Sequence, residues 1–269
     1  MSEDALLAPW RTIAPGYEVV AHLRRGRDLD VYDAWSYERD CGCVVKALRP
    51  ERRGHRGARR RLRDEGRLLA QIAHPHIVKA YEVIERPDPV VVLETLDGET
   101  LERMIERRER RLGLVDLAYL GIHLCSAMHF LHGRGYLHLD LKPSNVISDY
   151  GQAKVIDLSI ARAPGCGRRG IGTAQYMAPE QVRGARLGEA TDVWGIGVVL
   201  FEAATGRRPW PHGLKADLNG GGVDARPSLR SLRRVPAGFA RLVEGCLELD
   251  PGSRPTVREV SDRLEAFAA

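Results

Sequence analysis

Alternation between apolar and polar positions predicts β-strands in the first part of the chain. Short runs rich in β-branched and aromatic residues are separated by glycine, proline and charged residues, which is typical of strands that bury one face. Residues 1–16 contain no such run, and we expect them to form a short tail that ends at Pro15-Gly16. Five strands are predicted after this tail: Tyr17–Leu23, Val31–Trp35, Cys43–Leu48, Ile77–Ile84 and Val90–Leu96.

A helical period separates the third predicted strand from the fourth. Leu62, Glu65, Leu69 and Ile72 are spaced so that they share one face of a helix. The pattern therefore places a glutamate in the middle of an apolar stripe. The run before it, Arg49–Arg63, contains eight arginines in fifteen residues.

After Asp97-Gly98 the pattern becomes helical. Leu117–Leu131 is long and amphipathic, and Val193–Ala204 is the most apolar stretch, although glycine interrupts it. A strand-rich part of about 80 residues thus precedes a helix-rich part of about 170. We expect these two parts to face each other across a cleft.

Composition excludes several classes of protein. Apolar residues make up 43% of the 269-residue chain, which is enough for a sizeable core and argues against wholesale disorder. The acidic start has no secretory leader and no run of 18 apolar residues occurs, so we expect no membrane span and a cytoplasmic location. Five cysteines without an export signal are expected to be reduced thiols.

The net charge of +5 permits an acidic partner without requiring one. The basic residues are 36 arginines and only 5 lysines, which a genome rich in G and C explains without any nucleic-acid surface. Binding of nucleic acid through Arg49–Arg63 remains an alternative, and salt-dependent retention on DNA would reveal it.

The candidate chemistry lies in His138–Asn145 (HLDLKPSN) and in Asp157, twelve residues further on. Two strand-like runs, 146–148 and 154–156, flank a turn at 149–151, and a hairpin of this kind can bring Asp140, Asn145 and Asp157 to one point. Carboxylates and an amide supply the hard oxygen ligands of Mg²⁺, and a nearby lysine neutralises phosphate charge.

These motifs, taken in order, resemble the protein kinases, specifically the bacterial serine/threonine kinases of the eukaryotic-like (Hanks) type. The resemblance covers about residues 17–267 and includes HLDLKPSN as the catalytic loop. Six further landmarks are similar in order and spacing: Val44-Val45-Lys46, Glu65, Asp157-Leu158-Ser159 at the D-F-G position, Gly172–Glu180, Asp192–Gly197 and Ser253-Arg254-Pro255.

The resemblance implies an α+β, bilobal fold with a small β-rich N-lobe that carries one helix (about 17–96) and a larger helical C-lobe (about 97–269). It implies that ATP and Mg²⁺, or Mn²⁺, are bound. Lys46, paired with Glu65, would hold the α- and β-phosphates, and Asn145 and Asp157 would ligate the metal. Asp140 would accept or orient the proton of the attacking hydroxyl, and Lys142 would stabilise the transferring group. Residues implied to surround adenine or border its pocket are Val31, Val44, Ile147, Leu93, Glu94 and Leu96, the last two through backbone hydrogen bonds.

The resemblance also implies scaffold roles in the helical part. Glu180 and Arg254 are expected to form a buried ion pair. The carboxylate of Asp192 is expected to accept hydrogen bonds from backbone amides of the catalytic loop.

The glycine-rich loop departs from the family pattern. Aligned on Val31, the three glycine positions hold Arg24, Gly26 and Leu29, so only the middle glycine remains. Because glycine lets backbone amides approach phosphate closely, we expect weakened ATP binding, unless Arg24, Arg25 or Arg27 supplies charge instead.

The predicted function is phosphorylation of serine and threonine in protein substrates. The alternative is a pseudokinase that binds nucleotide or a partner without transfer. The usual arginine before the catalytic aspartate is Leu139 here, and Ile160–Gly172 contains no hydroxyl side chain that could accept phosphate. We therefore expect activity that does not depend on phosphorylation of the activation loop.

Overall fold

The computed structural model describes residues 6–107, 111–211 and 228–268. The chain divides into two compact units. The first contains the residues up to Asp97 together with Asp157–Ser159, and the second contains Gly98–Ile156 and the residues from Ile160 onwards.

An antiparallel six-stranded sheet forms the body of the first unit. Its strands lie in the order β1-β2-β3-β4-β6-β5. Their bounds are β1 (Thr12–Ala14), β2 (Tyr17–Arg25), β3 (Leu29–Ser36), β4 (Cys41–Leu48), β5 (Ala80–Ile84) and β6 (Val90–Glu94). All five predicted strands are present, although β5 begins at Ala80 rather than Ile77 and β6 ends at Glu94 rather than Leu96.

Strand β1 was not predicted, since its residues lie in the segment interpreted as a tail. Thr12 pairs with Glu18 and Ala14 with Tyr17, so this segment forms an edge strand of the sheet. Three residues are too short for an alternating pattern to be recognised.

Helix α1 (Arg56–Ala70) covers one face of the sheet and packs against β4, β5 and β6. Gly66 permits this close approach, because a Cβ there would lie 2.8 Å from Val91 Cγ2. The helix begins at Arg56, where the amide of Ala58 donates to His55 Nδ1 as a cap. Residues 56–63 of the arginine-rich run therefore belong to this helix, and residues 49–55 connect β4 to it.

The second unit is mainly helical. Its helices are α2 (Leu101–Arg107), α3 (Leu114–His132), α4 (Pro179–Arg183), α5 (Glu189–Thr205), α6 (Leu229–Leu232), α7 (Ala237–Cys246) and α8 (Val257–Glu265). In the described part of this unit five short strands accompany them: β7 (Glu99–Thr100), β8 (Val146–Asp149), β9 (Gln152–Val155), β10 (Gly165–Cys166) and β11 (Arg186–Leu187). Strands β7, β8 and β9 form one sheet, and β10 pairs with β11.

Helices α3 and α5 form the centre of this unit. Helix α5 contains the apolar stretch Val193–Ala204 and is buried along nearly its whole length. Helix α3 is long and apolar enough to cross a membrane by length and composition alone. Half of its apolar window is buried, and it packs against α5, α8 and β9, which is the position of a core helix.

Candidate functional site

Lys46 and Glu65 form a buried ion pair in the first unit. Strand β4 carries Lys46, helix α1 carries Glu65, and Lys46 Nζ lies 2.7 Å from Glu65 Oε1. The two side chains are 10% and 0% exposed, so water screens the pair little. The glutamate in the apolar stripe of α1 therefore has the cationic partner that the resemblance implies.

The sequence-distant segment Asp157–Ser159 joins this pair. The amide of Leu158 donates to Glu65 Oε1 over 3.3 Å, and the amide of Ser159 donates to Asp157 Oδ1 over 2.9 Å. The first unit thus brings together three of the predicted site residues: Lys46, Glu65 and Asp157.

The charges of this cluster determine the protonation of its members. Burial acts to lower the pKa of Lys46, but the carboxylates of Glu65 and Asp157 outweigh burial and raise this pKa above its usual value. Burial raises the pKa of Glu65, and the Asp157 charge adds to the rise while Lys46 opposes it. Lys46 therefore stays an ammonium at neutral pH and offers a fixed cation.

Arg24, Val31 and Lys46 form a row across β2, β3 and β4. Arg24 pairs with Val31, and Val31 pairs with Lys46. Directly opposed residues of antiparallel strands point to the same face, so these three side chains share the face on which α1 packs. Val44, two positions from Lys46 on β4, lies on this face as well.

Three further residues predicted to border the adenine pocket, Leu93, Glu94 and Leu96, lie on or just beyond β6. Leu93 is buried and pairs with Val44 across the sheet, while Leu96 follows the strand and is half-buried. The amide of Glu94 donates to Lys79 O over 3.0 Å. The backbone hydrogen bonds expected at Glu94 therefore cannot include its N–H, since the sheet edge uses it. Ile147 lies on β8 in the second unit.

Gly26, the one retained glycine of the loop, serves the hairpin turn. Its amide donates to Leu29 O over 2.7 Å, and a Cβ at this position would lie 3.1 Å from the same oxygen. The family pattern predicts that this glycine approaches phosphate. In the structure its N–H closes the turn between β2 and β3, because the turn is only three residues long.

Asp140 is the centre of a hydrogen-bond network in the second unit. Lys142 Nζ donates to Asp140 Oδ2 over 2.7 Å and to Thr173 Oγ1 over 2.6 Å. The amide of Thr173 donates to Asp140 Oδ1 over 2.8 Å. Asn145 Nδ2 donates to Asp140 O over 3.0 Å and to Asp140 Oδ2 over 3.3 Å. The amide NH₂ of Asn145 is thus turned to Asp140, so its carbonyl oxygen is the atom suited to a hard cation.

The backbone on the N-terminal side of Asp140 is held by Asp192 of α5. The amides of His138 and Leu139 each donate to its carboxylate over 2.8 Å, as the resemblance implies. His132 Nε2 lies 2.8 Å from the same carboxylate, a contact that no sequence signal indicated. Leu139 adopts a φ of 66°, which is costly for a residue with a Cβ and persists because its surroundings fix it.

Leu139 packs into an apolar cluster, which we call the Leu139 cluster. Leu137, Leu139 and Leu187 are its buried members, and Ile160 and Ile171 pack against them. Gln181 Nε2 donates to Leu139 O over 2.8 Å and to Ile171 O over 2.9 Å. Side chains and backbone of the segment that follows Asp157 are thereby fixed against the loop that carries Asp140. Sequence patterns did not reveal Gln181, because a lone amide carries no distinctive signal.

Glu180 and Arg254 form a two-point ion pair, with nitrogen–oxygen distances of 2.7 and 2.9 Å. Arg254 also donates to Ala190 O and Glu248 O, and its guanidinium lies 5.0 Å from the ring centroid of Trp194. Both side chains are buried, so this ion pair of the resemblance is present in the structure.

Asp157 and Asn145 each carry an oxygen of the kind that a hard cation accepts. Among the residues that the structure describes, no three histidine, cysteine or acidic side chains gather as a metal site. Asp157 offers a carboxylate in the first unit and Asn145 an amide in the second. Mg²⁺ is commonly held by one or two carboxylates plus substrate phosphates, so a complete cage of protein ligands is not required.

Several known proteins are similar to this chain. A family model described as "Protein kinase domain" matches residues 17–263. The serine/threonine-protein kinase drp72 of Corynebacterium efficiens is 34% identical over 259 residues, which cover 90% of this chain and 48% of that protein. PknA of Corynebacterium glutamicum is 30% identical over 228 residues, covering 78% of this chain and 47% of that protein. The chain spans about half the length of these curated relatives or less.

A solved structure confirms the fold. The crystal structure of the Mycobacterium tuberculosis PknI kinase domain matches with a TM-score of 0.76 and 24% sequence identity, covering 98% of this chain and all of that chain. The predicted α+β fold, with a strand-rich N-terminal part carrying one helix and a helical C-terminal part, is therefore confirmed.

Proposed function

Since the chain belongs to the protein kinase family, we propose that it is a serine/threonine kinase that transfers the γ-phosphoryl group of ATP to protein hydroxyls. The observation that carries this proposal is the network around Asp140. Its carboxylate contacts Lys142, Asn145 and the amide of Thr173, which are the groups a phosphoryl-transfer site needs around its acceptor.

Each of these groups has a chemical task in the proposed reaction. Asp140 orients the attacking hydroxyl and accepts its proton. Lys142, beside it, offsets the negative charge that develops on the transferring group. Lys46, held by Glu65, binds the phosphates of ATP. We propose ATP and Mg²⁺, or alternatively Mn²⁺, as the bound cofactors, with Asn145 and Asp157 as metal ligands; the metal supplies neutralisation of phosphate charge.

The proposed activity does not depend on phosphorylation of the segment between Asp157 and Glu180. In many kinases an arginine before the catalytic aspartate pairs with such a phosphate. Leu139 takes this place and packs with Ile160 and Ile171, so apolar contact and the Gln181 hydrogen bonds hold the segment instead. Control by a binding partner or by abundance follows from this proposal.

A pseudokinase is the second candidate, and the hairpin turn favours it. The amide of Gly26 is used within the turn, so the backbone approach to phosphate that glycine normally provides is reduced. Against it stand the paired Lys46 and Glu65 and the network around Asp140, which a protein without transfer does not need.

Nucleic-acid binding through Arg49–Arg63 has less support. Many of these arginines contact carboxylates: Arg49 contacts Glu51, Arg52 and Arg61 contact Asp28, and Arg59 contacts Asp88. Their charge is largely neutralised within the chain. We therefore propose protein substrates rather than nucleic acid. We also propose a cytoplasmic location, as expected from the sequence.

Transfer of labelled phosphate from ATP to a generic basic protein tests the proposal. The wild type should label serine and threonine when Mg²⁺ is present, and Asp140→Asn should lose on the order of 10²-fold or more of the rate. Asp64→Asn is the matched control, because Asp64 is an exposed carboxylate on α1 and should leave the rate unchanged. A wild type that binds ATP but transfers nothing would favour the pseudokinase.

A further inference from the structure

Arg24 occupies the first glycine position of the loop, and the sheet register determines where its side chain projects. It lies opposite Val31, which lies opposite Lys46. Opposed residues of neighbouring antiparallel strands project from one face with Cβ atoms about 5 Å apart. The guanidinium of Arg24 and the ammonium of Lys46 therefore extend from the same side of the sheet, with Val31 between them.

Arg24 and Arg27 have no carboxylate contact among the described residues, and of these two only Arg24 lies on a strand in the row with Val31 and Lys46. Arg25 contacts Glu51 over 3.1 Å, and Arg52 contacts Asp28 over 2.6 Å. Arg61 and Arg49 contact Asp28 and Glu51 respectively. The local carboxylates are thus shared among these four arginines, and within the described part of the chain none of them contacts Arg24.

The same ion pairs hold the hairpin turn in one position. Asp28 lies in the turn and is bound by Arg52, before α1, and by Arg61, within α1. Arg49 Nη1 donates to Gly26 O over 3.1 Å. The turn is consequently tied to the helix that carries Glu65, which fixes Arg24 relative to Lys46.

The charge of Arg24 is felt at Lys46. Arg24 acts to lower the pKa of Lys46, as a neighbouring cation does. Its effect is smaller than those of burial and of the Glu65 and Asp157 carboxylates. Glu65 and Asp157 offset the charge of Lys46, whereas no described carboxylate contacts Arg24, so the charge of Arg24 is available to an added anion on this face. A polyphosphate is an anion of suitable charge and extent.

We propose that Arg24 contacts the phosphates of ATP together with Lys46, and that its guanidinium replaces the backbone approach that a glycine at this position would give. The inference rests on the proposed function, since it requires that the chain bind ATP. A guanidinium forms paired, charge-assisted hydrogen bonds to phosphate oxygens, whereas the one retained glycine amide is occupied within the turn. The missing glycines therefore do not imply the weak ATP affinity expected from the sequence alone.

Calorimetric titration of the purified chain with Mg-ATP and, separately, with adenosine tests this inference without relying on catalysis. Arg24→Gln should weaken ATP binding about tenfold or more and leave adenosine binding unchanged, because adenosine has no phosphates. Arg24→Lys keeps the charge but not the paired hydrogen bonds, so its ATP affinity should lie between those of Arg24→Gln and the wild type. Arg60→Gln removes an equal charge from the exposed face of α1 and should bind both ligands like the wild type.

Arg24→Gly separates the two explanations of the loop. If Arg24 binds phosphate, the glycine variant loses ATP affinity as Arg24→Gln does. If the variant binds ATP more tightly than the wild type, backbone approach is what the loop lacks and the inference is wrong. Equal ATP affinity of Arg24→Gln and wild type would also overturn it, while leaving the proposed kinase function intact. A wild type that binds adenosine but not ATP would contradict both.

Discussion

The ammonium of Lys142 lies 2.6 Å from the hydroxyl of Thr173 and 2.7 Å from the carboxylate of Asp140. One lysine thus links the loop that carries the proposed proton acceptor to the segment that leads to Met177–Glu180. Because the lysine charge assists both hydrogen bonds, the contact contributes more than one between neutral groups.

We expect Thr173→Val to lower kcat about tenfold or more, because it removes the hydroxyl while preserving the shape of the side chain. A hydrogen bond to a charged group contributes about 1.5–3 kcal/mol, and each 1.4 kcal/mol corresponds to about tenfold in rate. Thr173→Ser keeps the hydroxyl and should stay within about threefold of the wild type. Steady-state kinetics on a protein substrate makes the comparison, and equal rates for the valine and serine variants would exclude a role for the hydroxyl.

Lys46→Met and Asp157→Ala should each lower the transfer rate on the order of 10²-fold or more, since each removes a charge that the phosphates or the metal require. Lys79→Met makes the same chemical change at an exposed lysine of the first unit and should be silent. The measurement is phosphate transfer at saturating Mg-ATP. If Asp157→Ala transfers as fast as the wild type, the assignment of the metal ligand is wrong.

Treatment with a broad phosphatase should leave the transfer rate within about twofold, because the Leu139 cluster needs no phosphate to hold its segment. The phosphatase is removed before an added substrate is phosphorylated. A fall in the transfer rate of about tenfold, which corresponds to about 1.4 kcal/mol in the barrier, would contradict this expectation. It would have to recover on incubation with ATP and map to residues 159–180.

Arg254→Ala should lower the free energy of unfolding by about 3–5 kcal/mol, because Glu180 then remains a buried carboxylate without its partner. Denaturant titration measures the change. Arg107→Ala is the matched control, since its pair with Glu99 is exposed and contributes less than about 1 kcal/mol. A double variant, Glu180→Met with Arg254→Met, should recover much of the loss, and its failure to do so would mean that buried charge is not the cause.

Sequence patterns predicted the elements with long periods and the residues with distinctive spacing. The five strands and the amphipathic stretch within α3 were found because each repeats its pattern over several turns or pleats. Glu65 was conspicuous because a carboxylate within an apolar stripe requires a partner, and the structure supplies Lys46. Short elements such as β1 carry too little pattern to be recognised.

Other features depend on contacts between segments that are distant along the chain, so sequence patterns did not predict them. Asp157–Ser159 group with the strand-rich unit, where the amide of Leu158 donates to Glu65, a contact that spacing along the chain does not encode. The use of the Gly26 amide within the turn, and the choice of Arg24 among three nearby arginines, both follow from the register of β2 and β3. Register is set by pairing in space, so composition could only suggest that arginine charge is present.

The Leu139 cluster has a consequence for the conditions under which the segment stays in place. A phosphate paired with an arginine is weakened by salt, whereas contacts between leucine and isoleucine side chains are not screened. Apolar contact weakens on cooling instead, because the hydrophobic effect diminishes at low temperature. The segment after Asp157 should therefore stay in place in concentrated electrolyte and loosen in the cold. A segment held by an arginine–phosphate pair should instead loosen in concentrated electrolyte.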